Sequence, residues 1–96
     1  MKYDCLIKPP ESRLLKSGRV VLQPGEDVGE HVTKNKEEVL LVLKGSMLLK
    51  KGSEEIALKA GEVHYISQDV VHNVVNGSDS ILEYVYVVAL FDQKPQ

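Results

Sequence analysis

Short apolar runs, rich in β-branched residues, alternate with turn residues along the whole chain. The segment EEVLLVLKGSMLLKKGSEEIALKAGEVHYI, residues 37–66, holds three or four pieces of strand length, with breaks at Gly45, Gly52 and Gly61. Short strands separated by turn residues at regular intervals are typical of an antiparallel sandwich or barrel. The pattern therefore predicts an all-β domain built from many short strands.

The same pattern continues on both sides of this segment. Residues 20–22 form an apolar run before a Pro-Gly turn, and residues 81–91 predict a long final strand. The stretch Asn-Gly-Ser-Asp at 76–79 separates that strand from the apolar run at 70–75. Because Asn-Gly tolerates positive φ, we expect a hairpin at this point.

Two segments also have features that favour a helical turn or helix. TKNKEEVLLVLK, residues 33–44, contains Glu, Lys and Leu, which favour helix intrinsically. However, residues 39–43 are continuously apolar, the run has strand length, and glycine follows almost at once, so we predict a strand. PPESRLLKSG, residues 9–18, has room for one short turn after its two prolines.

Both faces of the predicted strand at 39–43 are apolar. Val39, Leu41 and Leu43 alternate with Leu40 and Val42, so burying one set leaves the other set exposed in a monomer. A second copy of the chain would cover the exposed set and protect sheet edges. We therefore expect a homodimer.

Length and composition narrow the class of protein. We expect residues 1–96 to form a single domain, and 43% hydrophobic with 27% charged residues is a globular composition. The formal charge is −2, and no basic block is interleaved with aromatics, which argues against a nucleic-acid partner. No segment has the apolar length of a membrane span or secretory signal. The single cysteine, Cys5, fits a cytoplasmic protein, and we expect it to be a small buried hydrophobe.

Two histidines and one glutamate are the candidates for chemistry. His31 and His72 each lie near the start of a predicted strand, and Glu38 lies at the start of another. Two imidazoles and one carboxylate form a three-ligand set that leaves positions open for water, substrate or dioxygen. Such a set suits a divalent ion, namely non-haem Fe(II), with Mn, Zn or Ni as alternatives.

These residues lie in two stretches that resemble the motifs of the cupins, a family of small β-barrels with a metal site. The first family motif, G-x5-H-x-H-x3/4-E-x6-G, is matched across residues 25–45 by Gly25, His31, Glu38 and Gly45, with Thr33 in place of the second histidine. The resemblance implies that His31, Glu38 and His72 are metal ligands.

The second family motif, G-x5-P-x-G-x2-H-x3-N, is matched across residues 61–76. Gly61, His72 and Asn76 stand at its glycine, histidine and asparagine, while Ser67 and Asp69 replace its proline and second glycine. Both motifs in order imply a small antiparallel β-barrel, a jelly-roll-like double-stranded β-helix. The resemblance extends over a little more than half of the chain.

Because Thr33 replaces the second motif histidine, metal binding must rest on His31, Glu38 and His72 unless another side chain supplies the missing ligand. Thr33 shares strand parity with His31, so we expect it to face the cavity and to bond a substrate or metal-bound water. His64 is a candidate to fill the gap if its strand turns it inward with Ile66. We favour the alternative, a satisfied core histidine or a polar tip near the dimer surface.

The neighbouring polar residues have simpler interpretations. Glu37 is interpreted as a solvated neighbour of the motif glutamate, and Asn76 as a turn former. Tyr65, Tyr84 and Tyr86 are interpreted as packing residues, although one of them could orient a polar ligand.

Three classes of function remain open. The first is a mononuclear metalloenzyme acting on a small molecule, for example as a dioxygenase or isomerase, with catalytic residues beyond the metal ligands unknown. The second is a metal-free domain that binds a small molecule in the barrel mouth. The third is a structural or interaction module with a vestigial site. Since the family includes enzymes, storage proteins and ligand sensors, the fold does not choose among them. We favour the first because both histidines and the motif glutamate occur together.

Overall fold

Nine antiparallel strands make up the part of the protein that the structure describes. The computed structural model describes residues 1–91. The strands are β1 (Lys2–Ile7), β2 (Leu15–Leu22), β3 (His31–Val32), β4 (Lys36–Lys44), β5 (Ser46–Lys51), β6 (Glu54–Lys59), β7 (Val63–Ile66), β8 (Val71–Val75) and β9 (Leu82–Leu90). The part of the chain described here contains no helix, and so none that could cross a membrane. The predicted all-β class is confirmed.

The strands pair into two sheets. One has the order β1-β2-β9-β4-β7 and the other the order β3-β8-β5-β6. Their inward faces enclose one apolar core, to which both sheets contribute. Its fully buried aliphatic side chains are Leu22, Leu40, Val42, Leu49, Ile66, Val74 and Leu82.

The predicted turns at three glycines are present. Gly45, Gly52 and Gly61 all have positive φ and separate β4, β5, β6 and β7 in sequence. At Gly45 the need for glycine is twofold, because a Cβ there would also collide with the carbonyl oxygen of Ile81. The strand prediction for residues 39–43 is likewise correct, since they lie inside β4.

The predicted hairpin at residues 76–79 is wrong. β8 belongs to the four-stranded sheet and β9 to the five-stranded sheet, so this segment crosses between sheets. Asn76 is fully buried and braces the crossing, because its amide donates to the carbonyls of Leu22 at 3.0 Å and Ser80 at 2.8 Å. Turn residues indicate where the chain changes direction, but they do not specify which strand it pairs with next.

The first strand was not predicted from the sequence. Within residues 1–91, β1 pairs only with β2, and all six of its residues are exposed, as suits an edge strand with a three-residue apolar stretch. Cys5 lies in this strand as a free, exposed thiol, so the expectation that it is buried is wrong. An edge strand has a neighbour on one side only, which leaves its side chains accessible to solvent.

Candidate metal centre

The two candidate histidines are neighbours across a pair of short strands. His31 on β3 pairs directly with His72 on β8. Directly paired residues of antiparallel strands project to the same face of a sheet. The two rings accordingly meet edge to face, with centroids 4.2 Å apart and planes inclined by 61°.

Glu38 approaches the histidines from the facing sheet. It lies on β4, where every second residue points inward, and its burial matches that of Leu40 and Val42. Its Oε1 is 3.1 Å from Nε2 of His72. One ligand-type atom from each of His31, Glu38 and His72 lies within 4.8 Å of the other two. The fold therefore gathers all three predicted ligands at one point.

Backbone carbonyls orient both imidazole rings. Nδ1 of His31 is 2.9 Å from the carbonyl oxygen of Gly29, and Nδ1 of His72 is 3.0 Å from that of Val70. Each Nδ1–H donates to its carbonyl, which leaves Nε2 available to a cation. This arrangement is the usual outer support of metal-binding histidines, since it sets both the tautomer and the ring direction.

The buried contact between His72 and Glu38 has an electrostatic consequence. Burial by itself would lower the pKa of His72, but the hydrogen bonds to Glu38 and to the Val70 carbonyl together raise it above its ordinary value. With Nδ1 already donating, a proton on Nε2 makes the ring an imidazolium that pairs with the carboxylate. A proton thus holds together two side chains that are both of metal-ligand type.

A cavity of about 290 Å³ opens beside this centre. Tyr84 and Tyr86 project into it, and burial raises the pKa of both phenols, so their hydroxyls remain protonated donors. The volume suits a small molecule. The lining consists of Met1, Tyr3, Lys16, Val20, Val28, His31, Lys36, Glu38, Tyr84, Tyr86, Val88 and Leu90.

Thr33 is placed differently from its sequence expectation. Strand β3 ends at Val32, so strand parity with His31 does not extend to Thr33. The fully buried Thr33 hydroxyl donates to the carbonyl of Ser67 at 2.6 Å and accepts from the Val70 amide at 3.0 Å. Thr33 therefore braces the segment that leads into β8, and it is not among the residues that line the cavity.

His64 lies on the inner face but outside the cluster. On β7 it pairs with Leu40 of β4, and Leu40 is the next inward-facing residue of β4 after Glu38. Its Nε2 accepts a hydrogen bond from Nζ of Lys51 at 3.3 Å. The pKa of His64 is lowered, mainly by burial and also by the positive charge of Lys51. Within residues 1–91, the cluster of metal-ligand type comprises the other two histidines and Glu38 without His64.

Glu37 points away from this centre, as its interpretation as a neighbour requires. Its carboxylate accepts from the hydroxyl of Tyr65 at 2.7 Å on the outer face of the five-stranded sheet. Tyr65 is thus an exposed outer residue, whereas Tyr84 packs in the core and also reaches the cavity.

The packing of Tyr86 over Gly18, which forms part of the cavity wall, was not predicted from the sequence. Gly18 has no side chain, and a Cβ there would lie 2.6 Å from the ring of Tyr86. The ring lies over this glycine, and its hydroxyl is hydrogen-bonded to the hydroxyl of Tyr3 on β1. The available signal was a glycine inside a strand pattern, which often marks a close approach of another group.

Taken together, the two sheets and the cluster define a class of protein: a small antiparallel β-barrel with a three-residue centre of metal-ligand type beside a cavity. A family model described as a cupin domain matches residues 18–88. The chain belongs to the cupin family.

Curated relatives share part of their length with this chain. The oxalate-binding protein of Thermotoga maritima is 28% identical over 72 residues, which cover 75% of this chain and 60% of that protein. The tetracenomycin polyketide synthase protein TcmJ of Streptomyces glaucescens is 24% identical over 79 residues, covering 82% and 53%. The chain thus spans less than two thirds of either relative.

Solved structures share the fold. The Cnp3 cupin domain of Schizosaccharomyces pombe has a TM-score of 0.83 at 16% identity, over 92% of this chain and 63% of that chain. A predicted oxalate decarboxylase of Thermotoga maritima has a TM-score of 0.81 at 24% identity, over 93% and 79%. At these identities the likeness shows the architecture alone.

Proposed function

We propose that the protein binds one divalent metal ion through His31, Glu38 and His72 and uses it to bind a small molecule. The observation that carries this proposal is the convergence of two imidazole nitrogens and a carboxylate oxygen within 4.8 Å. Two ligands on one ion, each at about 2.1 Å, are roughly 3.0 to 3.4 Å apart. The 3.1 Å separation of His72 and Glu38 lies in that range.

The donor set fits Fe, Mn, Ni or Zn. When bound, such an ion supplies Lewis-acid chemistry at the coordination positions that three protein ligands leave open. The residues around it have their own roles: Glu38 offers a negative charge, while the Tyr84 hydroxyl and the hydrogen-bonded hydroxyls of Tyr3 and Tyr86 offer donors to a small molecule in the cavity. A dioxygenase and an isomerase both remain compatible with this arrangement.

The class of small molecule is supported by one relative. Similarity to a protein named as oxalate-binding favours a small organic acid as the ligand of this cavity. Protonated phenols and lysine side chains in the lining are suitable donors to a carboxylate.

Metal uptake by protein purified without an affinity tag tests the proposal. The protein is stripped with chelator, supplied separately with Fe(II), Mn, Ni and Zn, and its bound metal is measured by elemental analysis. We expect one ion per chain, lost in His31→Ala and in His72→Ala. His64→Ala is the matched control, because it removes the remaining histidine and should keep the ion. Failure of all four metals to bind would refute the proposal.

A metal-free ligand-binding domain is the alternative that one observation favours. His72 and Glu38 contact each other directly, and a proton on Nε2 of His72 pairs the two side chains, so both groups have a partner without an ion. In that case a small acid should stabilise the protein against heat in the presence of chelator, and added metal should contribute nothing further. A vestigial site would show neither effect.

We also propose that the outer face of the five-stranded sheet pairs with a second copy of the chain. The register places Val39 beside Val87 and Tyr65 in one row, and Leu41 beside Val85 in the next, all on this face. Val87 is 37% exposed and Tyr65 53% exposed. An apolar sheet face of this kind is best covered by another protein surface.

The charge substitution Val87→Lys tests the dimer by sedimentation analysis. Val87 lies on β9, the central strand of the five-stranded sheet, so a lysine there places a positive charge in the middle of the proposed interface. We expect wild type to sediment as a dimer and the variant as a monomer. Lys50→Glu, on the exposed tip of another hairpin, should leave the dimer intact. A monomeric wild type would contradict the proposal.

A further inference from the structure

Two lysines share the inner face with the glutamate of the proposed metal centre. Lys16 on β2 and Glu38 on β4 both pair with Val88 of β9, so all three lie in one row across the sheet. Lys36 lies two residues before Glu38 on the same strand and points to the same side. Both lysines line the cavity.

The geometry of the sheet allows both ammonium groups to reach the space in front of Glu38. Strands are about 4.8 Å apart, which puts the backbone of Lys16 roughly 10 Å from that of Glu38, and Lys36 is about 7 Å away along its strand. A lysine stem is long enough to bridge much of either distance.

The charges of this cavity do not balance once an ion is bound. Glu38 is the carboxylate residue in the lining, and a divalent ion would take up its negative charge. Among residues 1–91, neither Lys16 nor Lys36 forms an ion pair with an acidic side chain. The ion and the two ammonium groups carry four positive charges against the single negative charge of Glu38, and a ligand with two negative charges would offset most of this excess.

We propose that the cavity binds a small dicarboxylate by both ends. One carboxylate occupies the open side of the metal centre, and the other accepts hydrogen bonds from Lys16 and Lys36. The two-ended mode is suggested by the placement of the two lysines, whose backbones lie about 7 and 10 Å from that of Glu38, so that their ammonium groups and the ion offer separate anchor points in one cavity. This inference rests on the metal-binding function proposed above.

Calorimetric titration tests it on the protein loaded with the ion that it takes up. The ligands are oxalate, malonate and succinate, with acetate as the single-charge comparison and inorganic phosphate as the compact one. The variants are Lys16→Gln, Lys36→Gln and the double substitution. Lys50→Gln is the control, because it removes the same charge from an exposed position on β5.

We expect at least one diacid to bind more tightly than acetate and phosphate. Each cavity substitution should weaken that diacid by about tenfold, as loss of a charge-assisted hydrogen bond does, and the double substitution by more. Metal content should stay at one ion per chain in every variant, which also shows that the variants fold. Lys50→Gln should bind as wild type does.

The outcomes separate the two proposals. Absence of metal uptake would overturn the proposed function and the two-ended mode with it. Normal uptake with diacid affinity unchanged in the double variant would overturn this inference alone. Phosphate or acetate binding as tightly as the best diacid, with the same dependence on the lysines, would also overturn it, because a one-ended anion would then satisfy the cavity.

Discussion

Replacing Glu38 with glutamine should separate the two roles of this side chain. The carboxylate bonds a histidine in the metal-free protein and offers the negative ligand of the proposed centre. The Glu38 and His72 side chains are 9% and 1% exposed, and their contact is 3.1 Å long. Glutamine has nearly the same volume and can still donate to Nε2 of His72, so the substitution removes the charge while keeping the packing.

The expected loss of stability follows from this contact. A hydrogen bond between charged groups contributes about 1.5 to 3 kcal/mol, and the neutral bond that replaces it about 0.5 to 1.5 kcal/mol. The metal-free Glu38→Gln variant should therefore lose about 1 to 2 kcal/mol of unfolding free energy. For a domain of this size that corresponds to a fall in Tm of roughly 4 to 16 °C.

The metal-loaded protein should respond more strongly to the same substitution. An ion that binds only the native state at 100 times its Kd stabilises it by about 2.7 kcal/mol, and this increment should vanish in Glu38→Gln. Thermal unfolding with chelator and with added metal measures both effects. Glu37→Gln is the matched control, since its exposed carboxylate bonds only Tyr65 among the described contacts and should change stability by less than about 1 kcal/mol. Equal behaviour of the two variants would refute the reasoning.

Three further predictions concern the supports of the site. Thr33→Val should cost about 1 to 3 kcal/mol in chemical denaturation, because the Val70 amide then loses its acceptor; an unchanged midpoint would contradict the brace. Gly18→Ala should cost about 1 to 3 kcal/mol in the same measurement, because the added Cβ displaces the Tyr86 ring; an unchanged midpoint would contradict the importance of this close contact. Because the pKa of His72 is raised, metal affinity should increase with pH up to that raised pKa and level off above it. The metal-free stability that His72 contributes is full below about 6.5 and is lost as pH rises through the raised pKa. Metal titration at several pH values checks this, and a flat profile would rule it out.

Strand positions and turn glycines were determined locally, which is why they could be predicted. The alternation within residues 39–43 and the positive-φ glycines at 45, 52 and 61 depend on side-chain direction and backbone sterics close in the chain. The six-residue spacing to Gly45 likewise identified Glu38 rather than Glu37. The structure agrees, because the two side chains point to opposite faces of β4 and Glu38 is the buried one.

Other features were decided only by tertiary structure. The segment after β8 carries hairpin-type residues but crosses to the other sheet, since long-range pairing selects β9 as a neighbour of β2 and β4. Thr33 turns to the Val70 segment because β3 ends one residue earlier. The fold also puts Lys16 and Glu38 in one row, although 22 positions separate them in sequence.

The sequence by itself determined the family, the strand pattern and the three residues of ligand type, because these depend on periodicity and short motifs. Tertiary structure decided their convergence, the cavity beside them and the lysines that share it. The physical reason is that strand register aligns residues distant in sequence, and local preferences do not encode that register.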